Sequence, residues 1–156
     1  MEQVTAPCFG VGVAVAKFKS QAAVRGGTGD AELFGEVLID QRLEEGLLGG
    51  MWEFPGGKQE ESETIETCIA RELREELAIE VTVGELLICV DHAYSHKKLR
   101  FVLHLCTWLS GEPQPLASQQ VRWVHPLELK EYPFPAANAR IITALLEALD
   151  SSSAST

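Results

Sequence analysis

Positive charge is in short supply in this chain. Against 13 Lys and Arg stand 23 Asp and Glu, giving a net charge of −10 and a sequence pI near 4.8. That deficit argues against a stable nucleic-acid partner or adhesion to an anionic membrane surface, since both depend on basic side chains displacing counterions. It still permits an anionic small substrate if a bound cation neutralises it locally. Cysteine is scarce as well. Cys8, Cys68, Cys89 and Cys106 form no CxxC pair and no zinc-type spacing with histidine, so they read as small buried residues in a reducing compartment. MEQVTAPCFG lacks the basic segment and apolar run of a leader, and no apolar stretch is long enough to span a bilayer. The cytoplasm is the expected location, with no membrane association. Oligomeric state is not legible in these features.

What is present suits one soluble domain. The 156 residues are 46% hydrophobic and 23% charged, enough to bury a core without staples. We expect the domain over residues 8–149, between an N-terminal tail (1–7) and a disordered C-terminal tail (150–156). Residues 11–18 (VGVAVAKF) and 36–41 (EVLIDQ) read as strands, with a flexible loop over 20–30 between them. RLEEGLLGGMWEFPGG reads as an ordered but irregular connection, and a helix follows from Ser62 or Glu63 to about Leu77. Strands are expected near 81–91 and 99–109, a loop over SGEPQPLASQQ, a short strand at VRWV and a helix over 136–149. Strands, helix, strands, helix indicates a mixed sheet covered by helices, an α/β (α+β) class.

The chemistry concentrates in GGKQEESETIETCIARELREELAI, residues 56–79, which holds seven glutamates. At about 100° per residue, Glu72, Glu75 and Glu76 share one helical face, at the edge of an apolar stripe of Ile65, Ile69, Leu73 and Leu77. Two readings compete. One is a solvated face laced by ion pairs such as Arg71 with Glu75. The other is a site for a hard divalent cation, Mg²⁺ or Mn²⁺, which binds carboxylate oxygens, backbone carbonyls and water. One arginine does not compensate three clustered acids. Gly56 and Gly57 allow close backbone approach just before the helix, whose N-terminus favours phosphate. With Lys58 added, the stretch describes a site for a metal-bound phosphate chain.

These residues resemble the signature of the Nudix hydrolases: a glycine, five residues, a glutamate, seven residues, then R-E-apolar-x-E-E-x-G-apolar. Gly57, Glu63, Arg71, Glu72, Leu73, Glu75, Glu76 and Ile79 fall at its positions. Ala78 departs from it, standing where the family usually has glycine. If that position is left-handed, alanine costs on the order of 1 kcal/mol and slightly reshapes the helix end. WEFPGGK and the element order are similar to the MutT-like 8-oxo-dGTP diphosphatase subgroup. The resemblance implies a Nudix-type α/β/α sandwich. It also implies Mg²⁺-dependent hydrolysis of a nucleoside triphosphate to the monophosphate and pyrophosphate. It carries the metal ligands to Glu72, Glu75, Glu76 and the carbonyl of Gly56, and makes Glu72 first and Glu75 second choice for accepting the proton of the attacking water. Arg71 and Glu63 become structural partners. Family members often add an acid from the loop before the late strand; PLASQQVRW has none, so that carboxylate is absent or comes from elsewhere.

In that subgroup an asparagine within F-P-x-A-N reads the oxidised base. Phe134, Pro135, Ala136, Ala137 and Asn138 repeat the order here. The amide of Asn138 has both a donor and an acceptor, which match O6 and the N7–H that only the oxidised purine carries. The alternative is an ordinary helix N-terminal asparagine. Arg42 matches a second base-contacting position of that subgroup, its alternative being a surface arginine; Phe54 is placed to pack against the base, and Trp52 and Trp123 read as core. Two alternatives stand beside this reading. One keeps the chemistry and changes the substrate, to another nucleoside diphosphate derivative such as ADP-ribose or to an unmodified triphosphate. The other is a non-catalytic 8-oxoguanine reader, because DHAYSHKKLRFVLHLC and EYPFPAANARII are also similar to the C-terminal domain of adenine DNA glycosylases. That domain sits behind a helical glycosylase domain not present in this sequence and tends to lack the carboxylates kept here. A zinc pair of His92 and His96 is not favoured.

Overall fold

A computed structural model describes residues 8–17, 36–46, 48–93 and 98–154. The loop expected over 20–30, the N-terminal tail and His96 lie outside them. Among the described residues seven strands form one mixed sheet: β1 (Cys8–Lys17), β2 (Val37–Gln41), β3 (Trp52–Glu53), β4 (Gly56–Lys58), β5 (Glu80–Ala93), β6 (Lys98–Ser110) and β7 (Gln120–Val124). The main path runs β3-β2-β1-β6-β5, with β4 also paired to β1 and β7 to β2. β1 and β6 are parallel from Cys8↔Lys98 to Lys17↔Thr107. The other pairings are antiparallel. The described helices are α1 (Ile65–Leu77) and α2 (Ala139–Ala154), and two 3-10 turns, η1 (Pro126–Glu131) and η2 (Ala136–Asn138), lie between β7 and α2.

β2 shows why the sheet needs a helix on each side. Its residues alternate between faces, yet Val37, Leu38 and Ile39 are all buried. Val37 and Ile39 join a core with Trp52, Phe54, Leu103, Leu129 and, from α2, Ile141 and Leu145. Leu38 joins a separate core with Ile69, Leu73 and Leu77 of α1, together with Ile79 and Cys106. Each such aliphatic side chain contributes about 1.5–3 kcal/mol by leaving water. Two cores on opposite faces make the α/β/α sandwich that the resemblance implied. The same alternation puts Asp40 on the Leu38 side, facing α1.

Several boundaries differ from the sequence reading. The irregular connection contains β3 and β4, too short to show any periodicity. η1 is new, capped by His125, whose Nδ1 accepts from the Leu127 amide at 3.1 Å. Residues 136–138 form the 3-10 turn η2 before α2 begins, and α2 runs on through Ala154, past Leu149 where the sequence reading starts a tail. Cys68 and Cys106 are buried, but Cys89 is exposed on β5, so the expectation of four buried thiols is corrected there. Among the described residues no helix is long and apolar enough to cross a membrane.

Candidate active site

α1 is fixed at both ends. Thr64 caps its start, with Oγ1 accepting from the Thr67 amide at 3.0 Å. Ala78 ends it in the left-handed conformation, φ 61° and ψ 35°, donating its N–H to the Arg74 carbonyl at 3.1 Å. Alanine thus sits at the angle that favours glycine. Gly111 makes room for it: a Cβ there would come within 2.4 Å of the Ala78 carbonyl oxygen.

Arg71 is the hub of the helix start. Its Nε and Nη2 donate to Glu63 at 2.5 and 3.0 Å, and Nη2 also reaches the Lys58 carbonyl at 3.3 Å. The Arg71 hydrogen bonds, with one from the Glu60 amide, hold the Glu63 carboxyl down to about 2. The guanidinium in turn keeps its proton more firmly, chiefly through Glu63. These contacts give Arg71 and Glu63 a positioning role, locking the loop after β4 onto α1. Arg71 Nη1 also bonds Glu72 at 3.0 Å and Glu75 at 3.2 Å. Arg74 turns the other way, to Glu80 at 2.8 and 3.0 Å.

Glu72 explains Gly57. A Cβ on Gly57 would lie 2.2 Å from the Glu72 carboxyl carbon and 2.4 and 2.5 Å from its oxygens. The carboxylate therefore sits on the bare backbone of β4, where Gly57 pairs with Gly12 and Gly56 with Val13 of β1. Beside it, burial pushes the Glu76 carboxyl up to about 7, helped by a hydrogen bond with Glu72 and by the charges of Glu72, Glu53 and Glu75. Glu75 lies at the rim, with 59% of its side chain exposed.

Two acids that the motif reading passed over complete the cluster. Asp40 and Glu53 face one another across β2 and β3. Burial pushes Asp40 up to about 9, with further contributions from Glu53 and then Glu76. Arg42 meets Glu53 at 2.9 Å. A signal existed: an aspartate within the apolar run VLID, and a glutamate between the buried Trp52 and Phe54. Locating their partners required the strand pairing.

Among the described residues no three acids, histidines or cysteines enclose a metal position as they stand; Arg71 holds Glu72 and Glu75 to itself. The chemistry of the set nevertheless fits a hard divalent cation. Five carboxylates converge on one face, two are raised by burial and by neighbouring carboxylates, and Asp40 Oδ1 is buried without a hydrogen-bond partner. A dication satisfies such oxygens where protons otherwise must.

The other expected residues stand as follows. Arg42 lies just past β2; its carbonyl accepts from Gln119 Nε2 at 2.8 Å, and Gln119 also donates to Glu44 at 2.9 Å. The acid-free loop is thereby tied to the segment after β2. Lys58 ends β4 and is exposed. Phe54 is buried and packs at 5.3 Å, ring to ring, on half-buried Phe134. Asn138 ends η2 half-buried, its amide nitrogen bonded to the Pro135 carbonyl at 2.9 Å. Among the described residues no interaction joins its side chain to the carboxylates. Trp52 is buried, against Tyr132, and Trp123 packs on the α1-side core.

Comparison with known proteins agrees with this geometry. The NUDIX domain family model matches residues 31–144, and the chain belongs to the Nudix family. It is 37% identical over 113 residues to the 8-oxo-dGTP diphosphatase of Haemophilus influenzae, covering 72% of this chain and 83% of that protein. It is 34% identical over 116 residues to the CTP pyrophosphohydrolase of Escherichia coli, with the same coverage. Among solved structures, the E. coli ORF135 protein superposes with a TM-score of 0.72 at 29% identity, covering 94% of each chain. Family membership indicates hydrolysis of pyrophosphate bonds in nucleotide substrates, and Nudix hydrolases generally need a divalent metal.

Proposed function

We propose that this chain is an Mg²⁺-dependent nucleoside triphosphate pyrophosphohydrolase that clears oxidised purine nucleotides, converting 8-oxo-dGTP to 8-oxo-dGMP and pyrophosphate. Such sanitising of the nucleotide pool, in the cytoplasm, would limit mutation. The observation that carries the reading is the seating of the Glu72 carboxylate on Gly57 of β4, beside Glu75 and Glu76 on α1.

In this reading Glu72, Glu75, Glu76 and the Gly56 carbonyl hold the ion, with Mn²⁺ able to substitute. When bound, the metal neutralises phosphate charge and acidifies a coordinated water. Glu72, seated on Gly57 and hydrogen-bonded to Arg71, faces away from solvent and serves best as a ligand. Glu75 reaches solvent, so it is the better placed of the two candidate bases to take the proton from water. The sequence reading ranked Glu72 ahead of it. Lys58 supplies positive charge at the mouth for the phosphates. On the base side, Asn138 discriminates at N7–H and O6, Phe134 lines its approach, Phe54 backs Phe134, and Arg42 is steadied by Glu53. The CTP pyrophosphohydrolase relative supports a second reading with the same chemistry and a pyrimidine substrate.

The test is pyrophosphate release from 8-oxo-dGTP, dGTP, CTP and ADP-ribose, by wild type and Asn138→Ala. We expect 8-oxo-dGTP to lead and the variant to lose most of its preference over dGTP. A CTP preference, or an unchanged ratio in the variant, removes the oxidised-purine assignment.

A further inference from the structure

We propose that Arg122 of β7 is a positioning residue for the base side of the site: it clamps Tyr132, and through the stiff segment that follows it sets where Phe134 and Asn138 stand. The guanidinium carbon lies 5.6 Å from the centre of the Trp52 ring and 5.8 Å from that of Tyr132. The two rings meet edge to face at 5.1 Å. Arg122 Nη1 also donates to the Tyr132 hydroxyl at 3.2 Å, and Nη2 to Gln120 Oε1 at 3.3 Å. Gln120 in turn donates to Gln41 Oε1 at 2.8 Å, and Gln41 to the Gly50 carbonyl at 2.9 Å. One cation thereby ties β7, the end of β2 and the turn before β3 to the chain that leaves η1.

An exposed arginine lying on aromatic rings is common, and alone it would be surface packing. What Arg122 holds is the root of a stiff segment. Tyr132 is followed by Pro133, Phe134 and Pro135, and each proline fixes its own φ and keeps the residue before it extended. Tyr132 is accordingly extended, at φ −110° and ψ 139°. The Trp52 amide donates to the Pro133 carbonyl at 2.9 Å, and the Asn138 amide to the Pro135 carbonyl at 2.9 Å. With the prolines set and residues 136–138 wound into η2, a shift of the Tyr132 ring is passed along the segment instead of being absorbed. Its far end carries Phe134, packed on Phe54 at 5.3 Å, and Asn138. A lysine at 122 would keep the charge but lack the planar fork that reaches Tyr132 and Gln120 together.

This role rests on the reading of Asn138 as the base contact, and the experiment separates the two. kcat and KM for 8-oxo-dGTP, dGTP and CTP are measured for wild type, Arg122→Ala, Arg122→Lys, Tyr132→Phe, Asn138→Ala and the double variant Arg122→Ala with Asn138→Ala, and melting temperatures are taken alongside. Arg122→Ala should raise KM for the preferred nucleotide about fivefold with kcat within about twofold, and lower the preference for 8-oxo-dGTP over dGTP about threefold or more. Arg122→Lys and Tyr132→Phe should fall between Arg122→Ala and wild type. In the double variant the loss of Arg122 should add little to the loss of Asn138, since both act on one contact. A lowered melting temperature with KM and preference unchanged makes Arg122 surface packing and overturns the proposal, as does full additivity with Asn138→Ala or a fall in kcat alone. If instead Asn138→Ala changes nothing while Arg122→Ala raises KM, the base-contact reading of Asn138 is wrong and the clamp acts through Phe134. Should Arg122→Ala not fold, Arg122→Lys and Tyr132→Phe decide by the same split between KM and kcat.

Discussion

The two sides of α1 carry the same residue types with opposite results. On the outer side Arg74 and Glu80 form a bidentate pair in water, one cation to one anion, both exposed. On the inner side one arginine serves Glu63, Glu72 and Glu75, while Glu76, Glu53 and Asp40 crowd together behind them. An exposed pair needs nothing more and contributes little, since solvent screens it. A half-buried excess of carboxylates is unfavourable until a proton or a cation joins it. Excess charge in a screened-off place marks the functional side of the helix, which neither glutamate count nor net charge distinguishes.

The contrast can be tested by its consequences. The largest effect should come from neutralising the inner acids. Glu72→Gln, Glu75→Gln and Glu76→Gln should each lower pyrophosphate release by about 10²-fold or more, with circular dichroism unchanged. Glu80→Gln should leave the rate at the wild-type level. A rate loss in Glu80→Gln equal to the others would erase the distinction between the two sides.

Gly57→Ala should come next. The new methyl meets the free end of a flexible side chain, which can swing away, so the melting temperature should change little, by about 1 kcal/mol or less in stability. The displaced Glu72 carboxylate, however, should cost about 10²-fold in rate. A variant that melts much lower yet keeps its activity would show that the close approach is only packing.

The third prediction concerns pH. Asp40 rises from 3.8 to about 9 and Glu76 from 4.5 to about 7 on folding. Between roughly pH 4 and 9 the folded chain therefore binds more protons than the unfolded one, and stability falls as pH rises. Glu63, lowered to about 2, acts oppositely but only below pH 4.5. In EDTA the melting temperature should drop from pH 5.5 to pH 9. Added Mg²⁺ should recover more of it at the high end, because binding displaces those protons. A metal-free melting temperature that is flat or climbs through that range contradicts the assignment.

A smaller gain is expected from Ala78→Gly. Relief of the left-handed alanine should add about 1 kcal/mol of stability, read by urea denaturation, with no change in rate. Least of all, Arg74→Ala should shift neither stability nor activity measurably in 150 mM salt.

What the sequence made legible was local. The face shared by Glu72, Glu75 and Glu76 and the stripe of Ile69, Leu73 and Leu77 follow from helix geometry within one segment, while the left-handed setting of Ala78 was flagged only by the glycine that the resembling signature has there. Asp40 and Glu53 were missed because they are thirteen positions apart and meet only through the β2–β3 register. β3 and β4 were missed because two or three residues show no alternation. Their pairing comes from β2 and β1, not from their own composition. Gln119 was read only as part of a loop without an acid, and its ties to Arg42 and Glu44 span more than seventy residues. Cys89 shows the limit of a residue-type rule, since a thiol on a strand follows the face its position assigns.

The contact between Gly57 and Glu72 makes two distant letters of the chain a single choice. A glutamate at 72 reaches into the volume a side chain at 57 would fill, so position 57 can grow only if the side chain at 72 shortens or its carboxylate leaves that seat. An aspartate at 72 would vacate that space and free 57 to take alanine, at the expense of drawing the carboxylate back from the phosphate-side turn.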